Sequence, residues 1–355
     1  MNSFYQNKKV LITGHTGFKG SWLSLWLHLM GAKVYGLSID VPSDPSHYKL
    51  LNLSSFIKSY RSDIKNLEKI RKQILEIAPD FIFHLAAQPI VNISYKKPID
   101  TWGTNLLGTI NILESLRGLD TNCVAVIITS DKCYKNNEWI WGYRENDQLG
   151  GDDPYSASKG AAEIAIASYY QSYFKTSENI KIASTRAGNV IGGGDWAPDR
   201  IVPDIIKYWQ RKEILNLRNP LSTRPWQHVL EPLNGYLRLG KCLNENKVKS
   251  GQAFNFGPNS NEEKTVEELV SEISKHLRYE NWKVTASESN FSESGLLKLN
   301  CDKATRILAW KPLLDFEKTT SMTAEWYYNF YEKKHDVFEL SKSQIETYSQ
   351  FIDEE

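Results

Sequence analysis

The chain has 355 residues, 43 Lys+Arg against 42 Asp+Glu, a formal charge of +1 and 41% hydrophobic residues. That length and apolar content fit one large α/β domain with a smaller lobe and exclude a disordered or fibrous chain. The near-zero charge gives no global electrostatic case for nucleic acid or an acidic membrane face, so an anionic ligand has to be held by local groups.

Met1 to Lys9 is polar and runs directly into a strand-like segment, unlike a secretory signal, and no apolar run approaches the roughly 20 residues of a membrane span. Strands are predicted at Val10-Leu11-Ile12, Val34 to Leu37, Phe81 to Leu85, Val124 to Ile128 and Ile182 to Thr185. Between them, Leu23, Trp26, Leu27 and Met30, and then Leu67, Ile70, Ile74, Leu75 and Ile77, recur at helical spacing. Such alternation predicts a Rossmann-type, doubly wound parallel sheet with ligands at the carboxyl ends of its strands. After about Gly188 the pattern breaks into Gly-, Pro- and Trp-rich loops joined to helices such as Val266 to Leu277 and Phe316 to Tyr331. The expected organisation is a dinucleotide-binding domain over 1–188 with returning segments from the C-terminal half, a smaller substrate-binding lobe over 189–334, and a polar tail over 335–355, frayed or disordered. Cys123, Cys133, Cys242 and Cys301 form no CxxC pair and the histidines no HxH or HExxH, so free thiols in a reducing cytoplasm are expected and no metal site is.

The segment Thr13-Gly14-His15-Thr16-Gly17-Phe18-Lys19-Gly20-Ser21 sets three glycines between a strand and an amphipathic helix. Glycines there permit a tight turn, close approach of backbone to a pyrophosphate and packing of helix on strand, while the helix N-terminus offers free N–H groups. Asp40 ends the second strand with no arginine beside it, which favours ribose hydroxyls over a 2′-phosphate and hence NAD over NADP. Asp63 and Ile64, after a third strand, are candidate adenine contacts.

Tyr155 and Lys159 have the YxxxK spacing that puts a phenol and an ammonium on one helical face. Bringing a phenol of pKa about 10 to neutrality takes roughly 4 kcal/mol, which Lys159 and a nicotinamide charge are expected to supply together. Tyr155 is then expected to take the proton of a sugar hydroxyl as hydride leaves its carbon, and Ser130, at the end of the Val124 to Ile128 strand, to hydrogen-bond the same oxygen.

Ser130, Tyr155 and Lys159 together resemble the triad of the short-chain dehydrogenases, and Thr104-Asn105-Leu106-Leu107-Gly108 and His84-Leu85-Ala86-Ala87-Gln88 resemble the extended branch of that family. The resemblance covers residues 8 to roughly 330. It implies NAD held by Gly14, Thr16, Gly17, Phe18, Gly20, Asp40, Asp63, Ile64, Leu85, Ala86, Ala87, Asn105, Tyr155 and Lys159. Sugar-nucleotide 4,6-dehydratases of this family carry a Thr-Asp-Glu type triplet where this chain has Ser130-Asp131-Lys132. The lysine, in Ser130 to Tyr134 followed by the run Asn137 to Glu145, together with Thr13 to Trp22, Arg186 to Trp196 and Arg224 to Glu231, is similar to the CDP-glucose 4,6-dehydratases in particular. That resemblance implies oxidation at C4 of a CDP-linked glucose, loss of water across C5 and C6, and return of hydride to C6. Asp131 is then the acid for the leaving hydroxyl, and Lys132 either the base at C5 or a charge that stabilises an enolate. Arg224 and Arg200 are candidates for the diphosphate, with Asn189 beside them, and Gln88 and the Asn92 to Tyr95 segment for the sugar pocket. The same scaffold carries 4-epimerases and dehydratases of other nucleotide sugars. The resemblance also implies a homodimer or homotetramer paired through Leu106 to Leu116 and Ala157 to Tyr170.

Overall fold

Both faces of the apolar strands are covered, which is why their sequences read as near-continuous hydrophobic runs. The computed structural model describes residues 3–217, 219–259, 263–279, 281–284 and 296–354. Strands β1 (Lys9–Thr13), β2 (Lys33–Ser38), β3 (Lys58–Arg61), β4 (Phe81–His84), β5 (Cys123–Ile128), β6 (Ile180–Ala187) and β7 (Gln252–Phe256) form one seven-stranded sheet. Its order is β7-β6-β5-β4-β1-β2-β3 and every pairing is parallel, the doubly wound architecture expected.

Successive residues of a strand serve opposite cores. Val10, Ile12, Phe81, Phe83, Val124 and Val126 pack with Trp22 and Trp26 of α1 (Phe18–Leu29) and Leu233 and Leu237 of a long helix over Leu230–Asn244. Leu11, Ile82, Ala125 and Ile127 point the other way, onto Ile70 and Ile74 of α2 (Leu67–Ile77) and Ile112 and Leu116 of α3 (Gly108–Leu116). Helix α4 (Pro154–Tyr169) covers the same face through Ile166. Strand order reverses between β1 and β4, so their carboxyl ends open the crevice where such sheets bind ligands.

Beyond β6 the chain adds α5 (Ile201–Arg211), α6 (Leu230–Asn244), α7 (Val266–Leu277) and α8 (Phe316–Tyr331), with short strand pairs that include Val190–Ile191 against Gln227–His228 and Thr223–Arg224 against Lys264–Thr265. Thr265 and Glu268 close a reciprocal capping box on α7. The returning segments are α6, packed under the sheet, and β7, its edge strand.

The C-terminal stretch, expected as a frayed helix or a disordered tail, is a packed helix. Residues Val337–Asp353 form helix α9, on which Val337, Ser341, Ile345 and Tyr348 are buried at helical spacing. The Tyr348 hydroxyl donates to Glu231 Oε2 (2.7 Å), and Ser341 Oγ meets His47 Nε2 (2.9 Å), whose Nδ1 meets Ser21 Oγ of α1 (2.8 Å). The buried stripe is narrow and half polar, so a hydropathy reading passes over it.

His47 is one of several histidines held neutral by burial: His15 is pulled down to about 4, and His47, His84 and His228 to about 3. Unfolded, each binds a proton near pH 6.5, so below that pH the unfolded chain holds more protons and stability falls as pH drops toward the folded values. Each group contributes up to about 1.4 kcal/mol per pH unit. Melting temperature should therefore decline steadily from pH 6.5 to 4.5, and His47→Gln should flatten that decline; an unaltered slope in the variant rules out His47 as a contributor.

Candidate functional site

The glycine turn follows β1 directly. Gly14 takes φ +75°, and a Cβ there would stand 2.8 Å from Ala86 N, so backbone from the end of β4 closes over it. A Cβ on Gly20 would lie 2.1 Å from the Gly14 carbonyl oxygen, so that glycine lets α1 seat against the turn. Gly17 is the N-cap of α1 without any side-chain cap, leaving the helix N-terminus for a ligand's phosphates. Thr16 Oγ1 donates to the Asp40 carbonyl (2.6 Å), which ties the end of β2 to the turn and leaves the Asp40 carboxylate exposed. This cradle fits the pyrophosphate and ribose of a dinucleotide. Phe18 is half-buried beside it, and Leu85, Ala86 and Ala87 follow β4 into the crevice.

Other expected contacts are engaged within the protein. Asp63 accepts from the Lys65 N–H (2.9 Å) and lies 3.7 Å from its ammonium, while Ile64 is buried against Gly108. Asn105, in a π-helical turn over Gly103–Leu107, accepts from Gln88 N (2.8 Å) and donates to Gln88 O (3.1 Å) and Ser158 Oγ (2.9 Å). It clamps the loop after β4 to α4. The Gln88 amide donates to Thr101 Oγ1 and accepts from Ile90 N, so it shapes this loop. Asn92 to Tyr95 lie on the short helix that follows.

Ser130, Asp131, Lys132, Tyr155 and Lys159 meet at the carboxyl end of β5. Ser130 caps a 3-10 turn over Asp131–Cys133, accepting from Lys132 N (3.2 Å) and donating to Asp131 Oδ1 (2.9 Å). Asp131 is 4% exposed and its Oδ2 has no partner among the described residues. Burial raises its pKa above the usual carboxylate range, against the opposing pull of Lys132, Ser130 and Arg224. A neutral carboxyl is thereby favoured, as an acid requires. Lys132 beside it is half-buried.

Asp153 caps α4 through bonds from Tyr155 N (2.9 Å) and Ser156 N (3.0 Å), and Pro154 fills the first helical position, so Tyr155 stands in the first turn and Lys159 one turn on. Burial pushes Tyr155 up to about 12, with a hydrogen bond from Ser130 and the charge of Arg200 pulling it down. Ser130 and Arg200 thus join Lys159 and a nicotinamide charge among the groups placed to lower the phenol. Lys159 itself is pulled down to about 8 by burial.

Lys19, absent from the sequence expectation, also belongs here. Loss of water lowers it to about 8, helped by repulsion from Lys159 and Arg200. Its signal was a charge inside a glycine turn where an apolar residue would pack better. Arg200 is anchored to Asp195 (2.8 Å), itself buried, rather than standing free for a phosphate. Arg224 lies close enough to Asp131 to act on its carboxyl, and Gly188 draws both segments in: a Cβ on it would be 3.2 Å from Asp131 Oδ2 and 3.1 Å from Pro225 Cγ. Asn189 accepts from Gln227 N through its carbonyl (3.0 Å). Among the described residues no group of His, Cys, Asp and Glu is arranged to hold a metal.

The family model for GDP-mannose 4,6 dehydratase matches residues 11–323. The chain belongs to that dehydratase family. It is 43% identical over 350 residues to the CDP-glucose 4,6-dehydratase of Salmonella typhimurium, covering 98% of this chain and 97% of that one. Among solved structures, the UDP-glucose 4-epimerase of Thermotoga maritima with UDP-glucose superposes with TM-score 0.79 at 21% identity, covering 91% of this chain and 99% of that one. The dTDP-glucose 4,6-dehydratase of Streptomyces venezuelae with NAD and TYD bound gives TM-score 0.76 at 20% identity over 93% and 99% of the two chains. Those two likenesses establish the fold; the near-complete coverage carries the family over both the dinucleotide crevice and the C-terminal half.

The cradle makes a direct prediction. Gly20→Ala forces the turn off the helix, and dinucleotide affinity should fall at least about tenfold, the equivalent of ~1.4 kcal/mol. Titration followed by tryptophan fluorescence reads this, and parental affinity in a folded variant would contradict the assignment.

Proposed function

We propose that the chain dehydrates CDP-D-glucose to CDP-4-keto-6-deoxy-D-glucose, as a hydro-lyase that recycles its own NAD. The observation that carries the reading is the end-to-end likeness to a CDP-glucose 4,6-dehydratase, and the buried Asp131, its pKa raised, beside the Tyr155–Lys159 pair fits the chemistry that dehydration needs. NAD, when bound, supplies the acceptor for the C4 hydride and its return to C6.

Tyr155, as phenolate, takes the proton of the 4-hydroxyl while Ser130 hydrogen-bonds the same oxygen. The ketone so formed at C4 acidifies C5–H. A base on the turn, for which Lys132 is the candidate, takes the C5 proton, and Asp131 gives its proton to the C6 hydroxyl, which departs as water. The C5 proton returns as C6 is reduced. Tyr155 has then gained one proton and Asp131 has lost one, and Ser130, which donates to Asp131 and acts on the Tyr155 phenol, lies close to both. Arg224 and Asn189 are read as substrate contacts near the diphosphate. Lys19 and Arg200 add positive charge to the same crevice.

Residues 1–188 are read as the NAD-binding domain and 189–334 as the source of the nucleotide-sugar lobe. No helix among the described residues is long and apolar enough to cross a membrane, and the cysteines are free, in keeping with a cytoplasmic enzyme. A homodimer or homotetramer is proposed through Leu106 to Leu116 and Ala157 to Tyr170, which leave Leu107 and Ile164 exposed.

Protein as purified, given CDP-glucose without added NAD, should yield a product one water lighter by mass spectrometry. An isomer of unchanged mass would point to epimerisation instead, and equal turnover of dTDP-, UDP- and GDP-linked sugars would defeat the cytidine assignment. Asp131→Asn keeps the acceptor for Ser130 but has no acidic proton. Its turnover should drop by roughly 10²–10⁴-fold, the usual worth of a general acid, and a rate within a few-fold of the parent would remove Asp131 from the mechanism.

A further inference from the structure

The acid–base turn is too short to hold itself. It spans only Asp131–Cys133, and one 3-10 turn fixes little without anchors at its ends. Both anchors trace to a single buried ion pair. Glu163, on α4 one turn beyond Lys159, accepts from the hydroxyl of Thr129, the residue immediately before Ser130, and from Ser184 Oγ (2.8 Å). Its partner Arg186, on β6, donates from Nη2 to Glu163 Oε2 (2.8 Å) and from Nη1 to the hydroxyl of Tyr134 (2.7 Å), the residue immediately after the turn. The Tyr134 hydroxyl in turn donates to Asn255 Oδ1 of β7 (2.8 Å), and its ring lies stacked on Tyr143. Arg186 Nη1 also reaches the Glu145 carbonyl (3.0 Å). Glu163 and Arg186 are each 4% exposed in their side chains.

A buried pair of this kind is a poor device for stability, since the cost of removing both charges from water offsets much of their attraction. Arg186 Nε is even left without a partner among the described residues. What the pair achieves is geometric: one carboxylate and one guanidinium grip the Ser130–Cys133 stretch at both ends and fasten it to the helix that carries Tyr155 and Lys159.

We infer that Tyr134, Arg186 and Glu163 are positioning residues that set the Asp131–Lys132 turn against α4, and that the Tyr134 end serves the elimination half of the reaction more than the oxidation half. The inference rests on the dehydratase reading. Oxidation draws on Tyr155, Lys159 and Ser130, which stay fixed by α4, β5 and Thr129 when the Tyr134 hydroxyl is removed. Asp131 and Lys132 lie further from the Thr129 anchor than Ser130 does, within the turn that Tyr134 closes, so proton transfer at C5 and C6 slows first.

The test is Tyr134→Phe, which retains the ring and its stacking. With CDP-glucose, kcat is expected to fall on the order of tenfold, the effect of sub-ångström misplacement of reacting groups, while KM is unchanged. The bound nicotinamide should meanwhile stand reduced for a larger share of each cycle, seen as a rise in its near-ultraviolet absorbance during steady state. Arg186→Lys, which keeps a cation on Glu163 but withdraws the second arm from Tyr134 and Glu145, should show the same signature, and whichever variant folds decides the matter. Turnover at the parental rate, or slowing without a rise in that absorbance, overturns the inference. A parent protein that leaves CDP-glucose unchanged fails the dehydratase reading instead, so the two failures are told apart by the parent alone.

Discussion

Burial at the carboxyl ends of β1 and β5 is the largest influence on Asp131, Tyr155, Lys159 and Lys19. One physical effect moves those groups in opposite senses according to the charge each would carry: Asp131 and Tyr155 upward, Lys159 and Lys19 downward. A carboxyl whose pKa is raised and lysines whose pKa is lowered are shifted in the directions that proton traffic around a sugar ring favours near pH 7. The same burial works against Tyr155 as a base, so its ionisation depends on local donors and charge. Ser130 and Arg200 provide part of that within the protein.

A chain with a net charge of +1 nevertheless concentrates Lys19, Lys159, Arg200 and Arg224 around Asp131 and Tyr155. Global charge therefore says little about an anionic ligand, and local placement says much. Each cation comes from a different element: the first turn of α1, the second turn of α4, the N-cap of α5 and a two-residue strand. Spreading them across elements keeps like charges apart along the sequence and brings them together only when the sheet and the C-terminal half assemble.

The parts of the molecule governed by short-range pattern were legible in the sequence. Strands β1, β2, β4, β5 and β6 show as apolar runs because both faces are covered, and the glycine turn shows because only glycine tolerates the approaches at Gly14 and Gly20. Ser130, Tyr155 and Lys159 were found by spacing. What was hidden depends on partners distant in sequence. Strand β7 alternates Phe254 and Phe256 with polar residues, and its Asn255 is buried only because Tyr134 and Tyr143 come to meet it. Helix α9 buries a stripe that includes a serine, whose acceptance by His47 no periodicity reveals. Glu163 and Arg186 look like ordinary surface charges until the fold places them 2.8 Å apart in the interior.

Several buried polar contacts hold the segments after β6 in place, against the dinucleotide half or against one another. His47 stands between Ser21 of α1 and Ser341 of α9; Glu231 of α6 takes the Tyr348 hydroxyl and the backbone N–H groups of Leu313 and Leu314; Asn255 of β7 takes Tyr134. Each is a buried polar junction, costly if left half made, because an orphaned group in the interior forfeits its hydrogen bond to water. The two halves are therefore selected to dock in one arrangement, whereas a purely apolar interface would tolerate sliding. For a site whose acid, base and cations come from both sides of that boundary, fixing the docking is equivalent to fixing the chemistry.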